Sequence, residues 1–262
     1  MEQGLKQVQE HYAQVAQTAQ CPCCDDAPQG EAFELYAKEA LAGLPKGALK
    51  ASRGCGDPVA QAKLQPGERV LDLGSGGGID AIIAARLVGD QGYVYGLDMT
   101  LDMVRLAQSN AAKAGAGNVE FLHGTIDDIP LPSDSLDVVI SNCVINFCEN
   151  KKAVLKEALR VLKPNGRLVV SDIVAFNPIP AGANEGLRKV TGCTNGITLA
   201  DSYQEILHEL GYANSSVVPK TVYTLDALQE KAKRKGREEA LESAMPYGID
   251  GITGSAIIIA IK

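Results

Sequence analysis

Residues 69–78 read RVLDLGSGGG, and this stretch decides the fold that the sequence predicts. A short apolar run between Pro66-Gly67 and a glycine cluster is typical of a buried parallel strand. The next ten residues, Ile79–Val88, have the composition of a helix, and Gly89 stands where helices commonly end. The stretch therefore predicts a strand, a glycine-rich loop and a helix in succession.

The same alternation continues along the chain. Its spacing predicts an α/β fold with a doubly wound, mostly parallel, Rossmann-like sheet and helices on both faces. Residues 176–196 are rich in Pro, Gly, Asn and Thr, which indicates an excursion over the ligand-binding edge of the sheet. The further predicted elements are strands Tyr93–Met99, Val119–Leu122, Leu136–Val144, Arg167–Val174, Ser216–Tyr223 and Ser255–Ile261, and helices Met1–Ala19, Thr100–Ala114, Lys151–Leu162, Asp201–Gly211 and Leu225–Ala244.

Three parts of the chain follow from this pattern. Residues 1–58 form an N-terminal helical segment that carries cysteines and is expected to cover the ligand edge as a lid. Residues 59–175 form the cofactor-binding core. Residues 176–262 form an α+β extension that includes the substrate-binding excursion and the closing strands of the sheet.

Composition and charge exclude several classes of partner. The net charge of -7 and a pI near 5.1 would repel a phosphate backbone, and the basic run Lys231–Lys235 is followed by acidic residues, so no nucleic acid partner is expected. No apolar run is long enough to cross a bilayer. The polar N-terminus lacks the features of an export signal, which predicts a cytoplasmic protein. We expect a monomer.

A glycine-rich loop alone is compatible with dinucleotides, flavins and S-adenosylmethionine. Asp98 ends the second strand, where a carboxylate can accept hydrogen bonds from both hydroxyls of a ribose. Asp72 precedes the glycines, where it would repel a pyrophosphate but attract the cationic end of a methionine moiety. The two carboxylates therefore indicate a nucleoside cofactor with an ammonium group.

These motifs resemble those of class I methyltransferases. Val70–Gly78 looks like the first motif of that family, Gly96–Met99 like the second, and Gly124–Asp128 like the turn that meets adenine. The resemblance implies S-adenosylmethionine as the cofactor, with Asp98 on the ribose and Met99 packed on adenine. The cofactor-binding residues that it implies are Asp72, Gly74, Gly76, Asp98, Met99, Thr125, Ile126, Asp127 and Asn142.

Seven cysteines, an odd number, without an export signal favour metal, metalloid or redox chemistry over a disulfide framework. Cys143 ends the fourth predicted strand, while Cys55 and Cys193 have glycine neighbours whose backbones could bend their thiols toward it. Three separated thiols suit a soft centre with pyramidal coordination, such as As(III), better than Zn(II), which usually takes four ligands. Alternatively, each cysteine is a small buried hydrophobic residue.

The chain also resembles arsenite methyltransferases from Ala51 to Val174 and again around Cys193. The resemblance implies that Cys55, Cys143 and Cys193 are catalytic and hold trivalent arsenic, which arrives as a thiol conjugate. It also implies a thiol reductant of the glutathione or thioredoxin type as co-substrate, and a role in arsenic detoxification. The matching stretches are Gly54–Pro58, Leu71–Asp80, Gly96–Thr100, Ile140–Asn146 and Val170–Ile173.

The remaining cysteines leave alternatives open. Cys21, Cys23 and Cys24 are interpreted as a thiol relay, although zinc binding with one more cysteine or a fortuitous exposed cluster would fit the same spacing. Cys148 is interpreted as a core residue, and its nearness to Cys143 would permit a disulfide.

Two other functions remain possible at this point. One is methylation of a small organic acceptor of the quinone or sterol type, with structural cysteines. The other is a noncatalytic metalloid-binding protein. The complete cofactor motif with Asp72 and Asp98 counts against the second alternative, because sequestration needs no methyl donor.

Overall fold

The computed structural model describes residues 2–20, 35–193 and 196–262. Within these ranges, eight strands form one sheet, and its first five long strands are parallel in the order β3-β2-β1-β4-β5. The strands are β1 (Arg69–Leu73), β2 (Tyr93–Asp98), β3 (Val119–His123), β4 (Leu136–Asn142), β5 (Leu162–Ala175), β6 (Thr198–Leu199), β7 (Ala213–Val222) and β8 (Thr253–Ile261).

The sheet ends in an antiparallel pair. Strand β8 lies between β5 and β7 and is antiparallel to both, while the short β6 pairs with the end of β5. The predicted doubly wound, mostly parallel sheet is confirmed. Its carboxyl edge, where parallel strands present ligand-binding loops, is the edge at which β1, β2 and β4 end.

Helices cover both faces of the sheet. None of those in the described part of the chain combines the length and apolar character of a membrane span. The helices are α1 (Glu2–Gln20), α2 (Lys38–Leu41), α3 (Lys46–Ala51), α4 (Pro58–Ala62), α5 (Ile79–Val88), α6 (Leu101–Ala114), α7 (Lys151–Val161), α8 (Asn184–Thr191), α9 (Ala200–Glu209), α10 (Leu225–Lys235) and α11 (Glu238–Ala244).

The core has two layers because successive residues of a strand point to opposite faces of the sheet. In β1, Val70 packs into the cluster beneath α5, whereas Leu71 packs into the opposite cluster with Leu155 of α7. Both strand residues are fully buried. An apolar run without alternation is what a strand covered on both faces requires, so β1 forms where the sequence predicts it.

Several predicted elements differ from the structure. The predicted excursion over 176–196 contains the helix Asn184–Thr191, and the last two strands begin earlier than predicted, at Ala213 and Thr253. The single polar helix over 225–244 is wrong, because Gly236 adopts a left-handed φ of 62° that ends α10, and α11 begins at Glu238. Strand β5 begins at Leu162 rather than at Arg167. Strand β4 ends at Asn142, so Cys143 lies just beyond it.

Ile258→Ala is expected to destabilise the chain by about 2–5 kcal/mol, because the removed atoms leave a cavity in a packed core. Ile258 lies in β8 and is fully buried. Urea denaturation would measure the effect. The matched change Val218→Ala in β7, where the side chain is 52% exposed, should alter the free energy of unfolding by no more than about 0.5 kcal/mol. Equal losses would contradict the assignment of β8 to the core.

Candidate active site

The glycine-rich loop after β1 is fixed to the end of β2. The backbone amides of Gly74 and Ser75 both donate to the carbonyl oxygen of Leu97, at 2.7 and 3.0 Å. Gly74 has a φ of +68°, and a Cβ there would lie 2.2 Å from Cγ2 of Val144. A Cβ at Gly76 would meet no atom within 4 Å, so this backbone faces open space. The loop can therefore admit a ligand close to its main chain.

Three buried carboxylates surround this loop, on Asp72, Asp80 and Asp98. Burial raises the pKa of Asp72 well above its ordinary value, and the charges of Asp80 and Asp98 raise it further. Only the backbone amide of Ala81 opposes this shift. One oxygen of Asp72, Oδ2, is buried with no hydrogen-bond partner. A cationic ligand group would pair with this oxygen and relieve the mutual repulsion.

Asp98 combines two structural contacts with spare acceptor capacity. Its Oδ2 accepts from the amide of Gly76 at 2.9 Å, and its Oδ1 accepts from the amide of Thr100 at 2.8 Å. Burial raises the pKa of Asp98, and these two amides lower it. An ionised carboxylate offers about four acceptor sites, so the geometry leaves room for ribose hydroxyls. Thr100 precedes α6, and its side chain makes no capping hydrogen bond to that helix.

The residues expected near adenine lie along one side of the same edge. Met99 is half-buried, and its carbonyl oxygen accepts hydrogen bonds from Gln9 of α1 at 2.9 Å and pairs with Nε2 of His123 at 3.0 Å. Ile126 is buried, whereas Thr125 and Asp127 are exposed. Helix α1 thus reaches the end of β2 directly.

Cys55 and Cys143 lie together beyond the end of β4, where their sulfurs form a disulfide. Cys143 is therefore not paired with Cys148, as its nearness in the sequence would permit, and Cys148 is a free cysteine. Cys143 has a φ of +57°, a left-handed conformation that is uncommon for residues other than glycine and is often found at functional sites. This conformation ends β4 and places the thiol next to the segment that carries Cys55.

The Cys55 segment is held tightly by Asn142. The carboxamide oxygen of Asn142 accepts from the amide of Cys55 at 3.0 Å, and its Nδ2 donates to the carbonyl oxygen of Gly56 at 2.8 Å. A Cβ at Gly54 would lie 2.5 Å from Nδ2 of Asn142, and one at Gly56 would lie 2.2 Å from Oγ of Ser171. The glycines that flank Cys55 thus permit this close approach.

The same carboxamide joins this segment to two further side chains. Nδ2 of Asn142 also donates to the hydroxyl of Tyr36 at 2.9 Å and to Oδ2 of Asp80 at 3.2 Å. The Tyr36 hydroxyl donates to Oδ1 of Asp80 at 2.8 Å. Burial raises the pKa of Asp80 to about 7, although the hydrogen bonds from Tyr36 and Asn142 act in the opposite direction. The predicted contact of Asn142 with the cofactor stays a prediction, because these bonds are all within the protein.

Cys193 approaches the same site from the excursion after β5. Gly192 ends α8 with a φ of 90°, and the thiol of Cys193 packs in a buried cluster with Cys55, Cys143 and Ile173. Nδ2 of Asn146 lies 3.5 Å from Sγ of Cys193. Burial, with the charge of Asp172, raises the pKa of Cys193 to about 12. The three thiols that the sequence singles out therefore converge.

The other cysteines have different outcomes. Cys148 is half-buried and packs against the core, as the sequence indicates, and burial raises the pKa of its thiol to about 11. Cys21, Cys23 and Cys24 lie outside the described residues. Their predicted role as a thiol relay stays a prediction.

Five site residues were not predicted by sequence reasoning: Tyr36, Asp80, Asn146, Ser171 and Asp172. Tyr36 gives no local signal, since it joins the site only because the segment before α2 packs on the core. Asn146, Ser171 and Asp172 stand inside stretches that match a known family, but their neighbours are set by strand register. Asn142 pairs with Ser171 across β4 and β5, which brings Asp172 to the same edge.

A family model described as a methyltransferase domain matches residues 64–211. The chain belongs to this methyltransferase domain family. The match covers β1 to α9. This range includes the glycine-rich loop, Cys143 and Cys193, but not Cys55. The sheet of this methyltransferase domain is the class I, Rossmann-like fold that the sequence motifs imply.

Similar proteins point to one subgroup. An arsenite methyltransferase of Halobacterium salinarum is 38% identical over 84% of this chain and 60% of that protein. One of Aquipseudomonas alcaligenes is 34% identical over 80% of this chain and 62% of that protein. The solved arsenic(III) S-adenosylmethionine methyltransferase of Chlamydomonas reinhardtii has a TM-score of 0.66 and 28% identity, covering 86% of this chain and 72% of that one.

The chain spans about three-fifths of the length of these two curated relatives, at 60% and 62%. The methyltransferase domain also matches part of a ubiquinone/menaquinone C-methyltransferase of Vibrio campbellii, which is 41% identical over 40% of this chain and 41% of that protein. Similarity to the arsenite enzymes extends over twice as much of the chain.

Asp172→Asn is expected to change how stability depends on pH. Burial raises the pKa of Asp172 to about 7 in the folded chain, whereas aspartate in an unfolded chain titrates near about 3.9. Between these values the folded state holds a proton that the unfolded state releases. The wild-type chain therefore loses stability as pH rises through this interval, and the loss is complete above the folded pKa.

Urea denaturation across this pH interval would measure the effect. The asparagine variant should gain stability relative to the wild type as pH rises, and the difference should level off above about pH 7. Asp90→Asn, at an exposed carboxylate, is the matched control for the same chemical change away from the site. A constant difference for Asp172→Asn would contradict the raised pKa.

Proposed function

We propose that this chain is an arsenite methyltransferase that transfers a methyl group from S-adenosylmethionine to As(III) held by Cys55, Cys143 and Cys193. The observation that carries the proposal is the convergence of these thiols beside the glycine-rich loop. They come from three separate parts of the chain and meet in one buried cluster. Similarity to arsenite methyltransferases over most of the chain supports the same substrate.

The disulfide between Cys55 and Cys143 gives the proposed reaction a redox requirement. A sulfur in a disulfide has no free thiolate to offer, so arsenic would bind only after this bond is reduced. A thiol reductant of the glutathione or thioredoxin type would serve as the co-substrate that does so, and arsenic would arrive as a thiol conjugate.

The carboxylates around the loop fit a cationic nucleoside cofactor. Asp72 has a buried oxygen with no partner, where an ammonium group would find a charged acceptor. Asp98 has acceptor capacity for ribose hydroxyls, and Gly76 leaves space at the backbone. Met99, Thr125, Ile126 and Asp127 would meet the adenine, as the family motif implies. S-adenosylmethionine supplies an electrophilic methyl group on a sulfonium.

The protein's main contribution would be alignment. Three thiolates would hold As(III) with its lone pair directed at the methyl group, and the arsenic carries no proton that a base would need to remove. Catalysis would then derive chiefly from proximity and orientation. The left-handed backbone at Cys143 and the contacts that Asn142 makes to the Cys55 segment fix two of the thiols relative to the cofactor loop.

The N-terminal part of the chain would cover this site. Gln9 of α1 donates to Met99, and the ring of Tyr12 lies 6.0 Å from that of Phe147, just after β4. Ala16 packs with Met103 of α6. We assign residues 1–58 as a cover, 59–175 as the cofactor core, and 176–262 as the part that brings Cys193 and closes the sheet.

Cys143→Ser and Cys193→Ser are each expected to abolish arsenite methylation while S-adenosylmethionine binding stays close to normal. A hydroxyl is a harder and far less acidic group, so serine cannot replace a soft thiolate ligand. The assay incubates purified protein with labelled S-adenosylmethionine, thiol reductant and arsenite, and then separates the arsenic species. Cys148→Ser is the matched control and should retain turnover.

Cys55→Ser should separate two steps. It should block methylation of inorganic arsenite yet spare one methylation of an already methylated arsenical, which needs only two protein thiolates. Near-normal arsenite turnover by the Cys143 and Cys193 variants would exclude the three-thiolate mechanism. Cofactor binding without methylated arsenic would favour the small organic acceptor of the quinone or sterol type.

Asp98→Ala is expected to weaken S-adenosylmethionine binding by about 1.5–3 kcal/mol, because the ribose hydroxyls lose a charged acceptor. Calorimetric titration would measure the dissociation constant. Asp90→Ala, at an exposed carboxylate beyond α5, should bind the cofactor as the wild type does. Because Asp98 also accepts from Gly76 and Thr100, thermal unfolding should confirm that the variant is folded. Unchanged affinity would show that Asp98 does not hold the ribose.

A further inference from the structure

Asp172 presents an unpaired oxygen to the cysteine cluster. The residue is 1% exposed and lies near the end of β5. Its Oδ1 accepts hydrogen bonds from Nδ2 of Asn146 and from the amide of Ile173, both at 2.8 Å. Its Oδ2 is buried with no partner. A buried carboxylate oxygen without a donor is costly, and a bound cation would satisfy it.

The neighbours of this carboxylate are suitable metal ligands. The sulfurs of Cys55 and Cys143 and a carboxylate oxygen of Asp172 all lie within 4.8 Å of one another. These three atoms come from the segment before α4, from the end of β4 and from β5. This spacing is short enough for one ion to contact all three after small side-chain rotations.

A fourth ligand lies next to this group. Cys193 packs in the same cluster, although its sulfur does not lie within 4.8 Å of all three of these atoms, so its side chain would have to move toward them to bind the ion. Nδ2 of Asn146 lies 3.5 Å from Sγ of Cys193 and 2.8 Å from Oδ1 of Asp172. One carboxamide therefore contacts both side chains, and hydrogen bonds of this kind commonly fix the direction of metal ligands. The ammonium of Lys151 interacts with Asp172 and Cys193 and would offset part of their negative charge.

We propose that the reduced protein binds a thiophilic divalent cation, Cd(II) or Zn(II), through Cys55, Cys143, Cys193 and Oδ2 of Asp172. Three sulfurs and one oxygen make a four-ligand set, which suits tetrahedral coordination. Three thiolates complete the pyramidal coordination of trivalent arsenic, so arsenic does not require the carboxylate as a ligand. The unpaired Oδ2 of Asp172 is thus explained by a divalent ion and not by arsenic.

Reduction must precede binding because Cys55 and Cys143 are joined. A dithiol reductant supplies two electrons and two protons. The bond between Cys55 and Cys143 breaks to give two thiols, and the two sulfurs of the reductant join in a disulfide. The cation then displaces the thiol protons to solvent, as metal binding to cysteine requires.

This site does not depend on methyl transfer, although it shares its sulfurs with the proposed arsenic site. A cation held there would exclude arsenite, so Cd(II) and Zn(II) should compete with arsenite for the protein. Asp172 would separate the two ligands, since only the divalent ion uses it.

The test uses the full chain with Cys21, Cys23 and Cys24 changed to Ser, so that this second group of thiols contributes no binding. The protein is reduced with an excess of a phosphine, freed of it without oxygen, and titrated with Cd(II) while the cadmium–thiolate absorption is recorded. No arsenite or cofactor is present. We expect one ion per chain for this parent protein. Asp172→Asn should lower the affinity by at least about 10-fold, since loss of a direct ligand should cost no less than loss of a residue that supports one.

Matched variants define the outcome. Cys148→Ser should leave the affinity for Cd(II) unchanged, because Cys148 is outside the cluster, and Cys143→Ser should lower it strongly. Arsenite binding, followed in a separate titration, should be nearly the same for Asp172→Asn as for its parent. Full Cd(II) affinity in the Asp172 variant would overturn the assignment of its carboxylate, and full affinity in the Cys143 variant would overturn the site itself.

A second measurement needs no change at Asp172. X-ray absorption of the Zn(II)-loaded protein should show three sulfurs at about 2.3 Å and one oxygen at about 2.0–2.2 Å. Four nitrogen or oxygen ligands would contradict the proposal. These results are distinguishable from the proposed function, because arsenite methylation by the wild-type chain can succeed or fail independently of Cd(II) binding.

Discussion

The carboxamide of Asn142 is the contact on which the site depends. Asn142 is the last residue of β4. Its side-chain oxygen accepts a hydrogen bond from the Cys55 amide, and its Nδ2 donates to Gly56, Tyr36 and Asp80. An amide with its donors and acceptor engaged fixes its neighbours in both distance and direction. The segment before the core is thereby attached to the strand that carries Cys143. This contact and the disulfide to Cys143 together fix the position of Cys55 beside the sheet.

Three buried carboxylates lie around the cofactor loop, and a cationic ligand would offset the repulsion between them. Asp72, Asp80 and Asp98 are buried, and the pKa of each is raised by burial. Burying three carboxylates close together is unfavourable by itself, because charged groups lose hydration and repel one another. It is suited to a cationic ligand, and it disfavours the pyrophosphate of a dinucleotide. The electrostatics therefore distinguish between cofactors that share the same glycine-rich motif.

The cysteine cluster combines two properties that constrain its chemistry. Cys55 and Cys193 are buried, and burial with the charge of Asp172 raises the pKa of Cys193 to about 12. The sulfurs of Cys55 and Cys143 are joined in a disulfide. Buried thiols are poor nucleophiles until a thiophilic ion replaces their protons. In the proposed site, redox state and ligand availability would therefore act together, and Asp172 would add an oxygen that favours divalent ions.

The sequence by itself determined the seven longer strands, the longer helices, the glycine loop and the three candidate thiols, but not the short β6 or the short helices. These depend on local patterns, since apolar runs, glycines and caps act over a few residues. It did not determine the break at Gly236, because a glycine inside a polar helix carries the same local signal whether or not it ends the helix. The pairing of Cys55 with Cys143, 88 residues apart, the anchoring of Tyr36 and the placement of Asp172 were decided by tertiary structure. Such contacts arise from strand register and from packing between distant segments, which local sequence does not encode.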